Sequence, residues 1–283
     1  MSGSVEKDQE AIKNHREEVE RIKNQYGFGE PDRGNLDDPE IAWRNLEGKP
    51  DYTLANCTFF KEKLKNHAEG SLERIVENLV KTWEFEASHK LDINQWTSID
   101  KENYTIKVNQ DPIMDGEYAM KMGNYNILMK GCPAYQKYGV DDNFEKSHDL
   151  FRNAFTKGFP WEVLSVVSKP PDPVVFSWRH WAHFTGTFQG RVGTGQLIQM
   201  TGLCRVTVTE DLKIQNLEVY LDNDKFLEEL EGNVDCLKSV ESSQQSIINM
   251  YHKIHNSPTI DQQIFLTNNL TAIQKLDEEK DTS

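Results

Sequence analysis

An imidazole set among aromatic side chains is the clearest chemical opportunity in this sequence. Within VVFSWRHWAHF, residues 174–184, His180 alternates with Phe176, Trp178 and Phe184 on the more apolar face of what reads as a strand. A histidine so placed can act as an acid or base or hydrogen-bond a ligand, or it can be a core residue whose ring nitrogens the protein itself satisfies. The opposite face carries Arg179, Trp181 and His183, a cation and aromatic row suited to meeting the terminal segments or a second subunit. Asp222 closes a later strand in which Leu217, Val219 and Leu221 alternate with Glu218, Tyr220 and Asp222. By pattern alone the aliphatic set faces the core, and Asp222 opens a turn and caps a helix over 224–230. There is no H-x-H, no H-E-x-x-H and no cysteine pair at ligand spacing, so no metal is expected. The glycine-rich run 186–195 joins two strands and lacks the lysine of a phosphate loop, which leaves a hairpin reversal as its reading.

The elements that must hold these residues can be traced from the same punctuation. Glycines at 186, 190, 193 and 195 mark one reversal and Glu210-Asp211 a second, so a long hairpin precedes the strand ending at Asp222. A strand over 161–168 and the turn Pro170-Pro171-Asp172-Pro173 lead into it. Upstream, Leu72, Ile75, Val76, Leu79, Val80 and Trp83 form one apolar face of a helix over 71–89 with Ser71 as N-cap. On that helix Trp83 continues the stripe, Glu84 reads as solvated, and His89 stands at the end. A short strand is expected over 104–109, and helices over 115–129 and 144–157, the last closed by Gly158. Helices first and sheet last is the order of an α+β domain. Residues 4–25 read as a solvated helix, and residues 27–70 as an extended arm with short helices, held by Trp43, Tyr52, Phe59 and Phe60. Two further helices, over 233–256 and 259–277, precede a disordered tail. Three segments follow: 1–69, 70–232 and 233–283.

The chain has 283 residues, 37% hydrophobic and 28% charged, with a formal net charge of −14. Such a balance repels phosphate backbones and anionic lipid, so neither a nucleic acid nor a membrane partner is expected, and a small apolar or cationic molecule fits better. No run approaches eighteen consecutive apolar residues. Cys57, Cys132, Cys204 and Cys236 are scattered and MSGSVEKDQE lacks the apolar run of a signal peptide, which predicts a reducing, cytoplasmic location.

Gly186-Thr187-Phe188-Gln189-Gly190, Thr194-Gly195, Asp211-Leu212-Lys213-Ile214 and Tyr220-Leu221-Asp222 together resemble the SnoaL-like branch of the nuclear transport factor 2-like superfamily. Over about 70–232 the chain is similar to the plant pathogen-related protein group. This rests on Ser71-Leu72-Glu73, Leu79-Val80-Lys81-Thr82-Trp83-Glu84, His89-Lys90 and Arg179-His180-Trp181. The resemblance implies a cone, a curved mixed sheet wrapped around helices and open at one end, to which the helical segments read in 1–69 and 233–283, outside the resemblance, add extensions. It implies a pocket for a small, largely apolar molecule, with Trp83, Trp178, Phe184, Met200, Tyr220 and His89 as ligand contacts. In the cyclases of this branch the closing-strand aspartate is the acid/base, which makes Asp222, with His180 as companion, the implied catalytic pair; the polar set of that strand would then line the pocket. Such cones host cyclases, isomerases and dehydratases that need no cofactor, and equally carriers, sensors and scaffolds, so fold does not decide function. None is expected to be bound here. A homodimer through the outer face of the sheet is a further implication.

Overall fold

The computed structural model describes residues 2–26, 33, 36–44 and 48–232. The helices expected over 233–256 and 259–277, and the tail, lie outside the described residues. In chain order the helices and strands are α1 (Ser2–Tyr26), α2 (Thr53–Glu62), α3 (Leu72–His89), β1 (Thr105–Val108), β2 (Met114–Asp115), α4 (Gly116–Met122), α5 (Asn124–Met129), α6 (Pro133–Gln136), α7 (Phe144–Ala154), β3 (Trp161–Val166), β4 (Val174–Phe184), β5 (Thr187–Phe188), β6 (Arg191–Val192), β7 (Gln196–Val208), β8 (Ile214–Leu221) and α8 (Asn223–Glu231). The α+β class and the helices-first order are as the sequence indicates, and the sheet is curved and unclosed.

Among the described residues, six strands form one mixed sheet in the order β2-β1-β8-β7-β4-β3. β4 and β7 pair antiparallel along their length, β7 and β8 likewise, while β1 runs parallel to β8. Inside the β4–β7 reversal, β5 and β6 make a small hairpin turning at Gln189 and Gly190, both at positive φ, which the glycine accommodates without strain. The register sets the faces. Phe176, Trp178 and His180 lie opposite Cys204, Gly202 and Met200, and Cys204 and Val206 lie opposite Val219 and Leu217. These residues form the inner face, against which α3 and α7 pack.

α3 begins as expected, with the Ser71 hydroxyl accepting from Arg74 N at 3.2 Å. Its surroundings differ from an amphipathic reading. Ile75, placed in the apolar stripe by spacing, is exposed, whereas Glu77, Lys81 and Glu86 are buried. Glu86 accepts from Lys90 Nζ, Thr97 N, Ser98 N and Ser98 Oγ at 2.6–3.0 Å, so a fully buried carboxylate clasps the segment leaving the helix. The single helix expected over 115–129 is two, because Gly123 sits at φ 82 where the Phe144 ring leaves no room for a Cβ. α7 stops at Ala154, short of the 157 expected.

The outer face of the sheet is occupied by the N-terminal arm. Val19 and Ile22 of α1 pack with Cys57, Phe59 and Phe60 of α2 onto Trp181. α1, read as a solvated helix, therefore packs within the chain through Val19 and Ile22, and the Arg179, Trp181 and His183 row meets a terminal segment. The face that resemblance offered to a second subunit is covered here by α1 and α2.

Candidate functional site

Between the inner face of the sheet, α3, α7 and the arm lies a cavity of about 450 Å³. That is within the range of small-molecule sites, roughly 300–1,000 Å³. Its sheet wall is apolar: Trp178, Met200, Cys204, Leu217 and Val219, joined by Val80 and Trp83 of α3. The register explains this wall, since these strand residues share one face. Asp51, Arg152 and Thr156 line the cavity and are exposed, which puts the opening between the start of α2 and the end of α7. Gly158, at φ 88, lets Ala55 approach so closely that an added Cβ would lie 2.6 Å from the Ala55 Cβ.

A polar cluster stands at the arm side of the cavity. Glu84 and His89 project from the last two turns of α3, and the Tyr52 hydroxyl from the arm stands 3.4 Å from Glu84 Oε2 and 2.9 Å from His89 Nε2. Behind them Asn124 Nδ2 donates to Ser88 Oγ at 3.2 Å, and Ser88 Oγ donates to Glu84 Oε1 at 3.3 Å. Burial holds the Glu84 carboxyl above its usual range, offset in part by Arg33 and Lys81. Burial, with Arg152, Arg44 and Arg33 nearby, pushes the His89 imidazole down to about 3, so it is neutral at physiological pH. Tyr52 is held well above its usual value by burial and by Glu84. Three groups that exchange protons are thus linked by hydrogen bonds around one half-buried carboxyl that faces the cavity.

The remaining titratable lining residues differ in how they are held. His180 stacks on Phe159, ring centroids 3.5 Å apart, and donates from Nδ1 to the Pro160 carbonyl at 2.9 Å, which leaves Nε2 as the acceptor its imidazole offers. Burial, with Lys81 acting in the same direction, pushes it down to about 3. His148 of α7 stacks on Phe144 and buries Nε2 without a hydrogen-bond partner among the described residues. Lys81, nearly fully buried, donates to the Trp161 carbonyl.

Of the residues expected to contact a ligand, Trp83, His89, Trp178 and Met200 line the cavity, as does His180. Trp83 also donates from Nε1 to the Tyr104 hydroxyl at 2.8 Å. Phe184, Tyr220 and Asp222 are not among the lining residues. Phe184 is fully buried at the far end of β4. Tyr220 shares the outer face of β8 with Glu218, to whose Oε2 it donates at 2.6 Å, because the aliphatic set, Leu217 and Val219, takes the inner face. Asp222 is the N-cap of α8, its Oδ1 accepting from Lys225 N at 3.1 Å. Of the two faces weighed for β8, simple alternation describes the structure. Glu84, read as solvated, belongs instead to the cavity. Tyr52, Lys81, Tyr125, His148 and Arg152 went unread as lining residues. The signal present for Lys81, as for Glu84, was the spacing Glu77, Lys81, Glu84, Ser88 along one side of α3, a polar stripe that is interior rather than exposed.

Among the described residues no cluster of metal-ligating side chains occurs, and no helix is long and apolar enough to cross a membrane.

No family model matches the chain. A pathogen-related protein from Hordeum vulgare is 34% identical over 192 residues, covering 66% of this chain and 81% of its own. Among solved structures, a candidate SnoaL-like polyketide cyclase from Jannaschia sp. CCS1 is 11% identical, with 59% of this chain and 96% of that chain covered and a TM-score of 0.33. The epoxide hydrolase/cyclase-like enzyme SalBIII, described in pyran ring formation in salinomycin, is 12% identical, with 54% and 95% covered and a TM-score of 0.31. An NTF2-like protein of unknown function from Exiguobacterium sp. 255-15 is 12% identical, with 45% and 79% covered and a TM-score of 0.25.

Proposed function

This chain belongs to the pathogen-related protein family, and we propose that its cavity binds a small, largely apolar molecule bearing a carbonyl or hydroxyl group and moves a proton at that group. One observation carries the reading: the Tyr52, Glu84 and His89 cluster, hydrogen-bonded together at one side of an apolar cavity of about 450 Å³. A non-catalytic container needs no such convergence of titratable groups, and a scaffold would fill the space with its own side chains. Proton abstraction next to a carbonyl requires a carboxylate whose pKa has moved toward neutrality, and burial moves Glu84 in that direction. Tyr52 and the neutral His89 are placed to pass the proton on or to hold the polar group of the ligand. His180 offers a neutral acceptor elsewhere on the wall. The chemistry matched to these groups is of the cyclase, isomerase or dehydratase kind, in which protons move and no electrons are transferred.

Native mass spectrometry of the purified protein after exposure to a metabolite extract tests the binding. A retained mass identifies the ligand class. The proton transfer is tested with Glu84→Gln, which keeps shape and hydrogen bonds but removes the proton acceptor. Conversion of the retained compound should fall by roughly two to four orders of magnitude while retention persists. Retention without conversion by either protein would make this a carrier, and no retention at all would overturn the ligand site.

A further inference from the structure

Lys81 lies on α3 with 5% of its surface exposed and lines the cavity. The chain buries a second lysine equally well, and the two are held differently. Lys90 Nζ makes a 2.8 Å ion pair with Glu86 and donates at 2.8 Å to the Gln95 carbonyl. Lys81 Nζ donates to the Trp161 carbonyl and stands 3.9 Å from the ring centroid of Phe59 and 5.7 Å from that of Trp161, with no ion pair to a carboxylate among the described residues. Desolvating an ammonium that has no ion pair is costly and shifts the amine toward its neutral, nucleophilic form, although the rings and the carbonyl each attract the cation. Glu84 follows one turn later on the same helix and lines the same cavity.

From this placement we propose that Lys81 condenses with an aldehyde or ketone lodged in the cavity to form an imine. This deepens the proposed function, since it rests on the cavity being a ligand site and narrows the ligand to a carbonyl compound. The nitrogen lone pair attacks the carbonyl carbon, forming the N–C bond, and the C=O π pair passes to oxygen, which takes up a proton. The nitrogen loses a proton, the resulting hydroxyl is protonated and leaves as water, the nitrogen lone pair closes the C=N bond as a protonated imine, and loss of its remaining N–H proton gives the neutral imine. Glu84 is the carboxyl placed to give and take these protons. The step is redox-neutral and releases one water. Burial pushes Lys81 down to about 8; Glu77, Glu84 and Glu162 oppose that fall, Arg33 adds to it, and the neutral His180 faces the same side chain.

Cinnamaldehyde with sodium cyanoborohydride, which reduces an imine to a stable secondary amine, tests the inference on the full chain. After digestion, the adduct should concentrate on the peptide holding Lys81. At pH 7 it should form on the order of a hundredfold faster than on a blocked lysine model compound, following the difference between about 8 and the usual value near 10.4. Its rate should level off near pH 8 while that of the model compound continues to climb. Lys81→Arg, which keeps a donor for the Trp161 carbonyl, should lose this adduct alone. A purely structural lysine would show neither the selectivity nor the profile. Cinnamyl alcohol, the same skeleton without the carbonyl, is followed by native mass spectrometry. Retention of the alcohol with labelling spread over exposed lysines and Lys81 unmodified overturns the amine's role and leaves the ligand site standing. Failure of both overturns the two readings together.

Discussion

Replacing His148 with phenylalanine should flatten the acid side of the stability profile. His148 is 7% exposed, its ring lies 4.2 Å from that of Phe144 in a stacked pair and edge-on to Tyr125, and its Nε2 is buried without a hydrogen-bond partner among the described residues. Burial, together with His89, Arg152 and Arg44, pushes its pKa down to about 3, against about 6.5 in an unfolded chain. Between those values the unfolded chain binds a proton that the folded chain refuses. Its contribution is therefore complete above about pH 6.5 and is lost as pH falls toward about 3. From pH 7 to pH 5 the unfolded imidazole passes from about one quarter to almost fully protonated, which integrates to about 2 kcal/mol. His89 and His180 are held low in the same way and add to the loss. Glu84 and Glu162, held high by burial, work in the other direction, gaining stability as pH falls through their folded values. The difference between wild type and His148→Phe cancels these shared contributions. Urea unfolding at pH 7, 6 and 5 should give nearly equal stabilities at pH 7, within about 1 kcal/mol, since phenylalanine keeps the stack and removes an unpaired polar atom. At pH 5 the variant should be ahead by about 2 kcal/mol. Parallel profiles would refute the reasoning, because they would mean that the folded protein accepts a proton on His148 without cost.

Two further outcomes follow from side chains away from the cavity. Asp222→Ala should cost about 1 kcal/mol in urea unfolding and Asp222→Asn only a few tenths, because asparagine caps nearly as well, with ligand retention and conversion unchanged in both; a hundredfold loss of conversion in Asp222→Asn at intact stability would return this residue to the chemistry. Glu162→Ala should cost about 3–5 kcal/mol, because it strands Arg179, whose guanidinium makes a 3.0 Å bond to Glu162 with both groups buried, and a thermal melt within a degree or two of wild type would show that the pair is not an energetic anchor.

Strand alternation carried most of what could be read in advance. The β4, β7 and β8 runs, the inward Trp178 and His180, and the capping role weighed for Asp222 all follow from period two and from turn chemistry. Tyr220 shows where resemblance and alternation part, since the family geometry turned it inward and its own strand turns it out. Gly123 divides a helix that apolar spacing runs through, because the spacing does not reveal that Phe144 occupies the place of a Cβ. The proton-active residues were hardest to read. Lys81 and Glu84 have the composition of a solvated helix face, yet the sheet and the arm lying across them bury both, with Phe59 over Lys81 and Tyr52 at Glu84. Tyr52 reaches His89 across 37 residues of chain, a pairing that no local pattern encodes.

The same arm ties the two faces of the sheet together. On the outer face, Glu62 at the end of α2 accepts from Trp181 Nε1 at 3.0 Å and pairs with His183 Nε2 at 2.9 Å, while Glu162 accepts from the backbone of Leu64 and Lys65 at 2.9 and 3.2 Å. These bonds fix where α2 lies. Its own residues then act on the cavity: Phe59 caps Lys81, and Tyr52, just before the helix, bridges Glu84 and His89. The Arg179, Trp181 and His183 row, which reads in sequence as a surface for a partner, is the seat of a segment that completes the site. Burial is what shifts Lys81, Glu84 and His89 from their usual values, and part of that burial comes from the docked arm. The shifts of Lys81, Glu84 and His89 consequently depend on the arm and the sheet together, with Tyr52 and Phe59 of the arm among the lining residues.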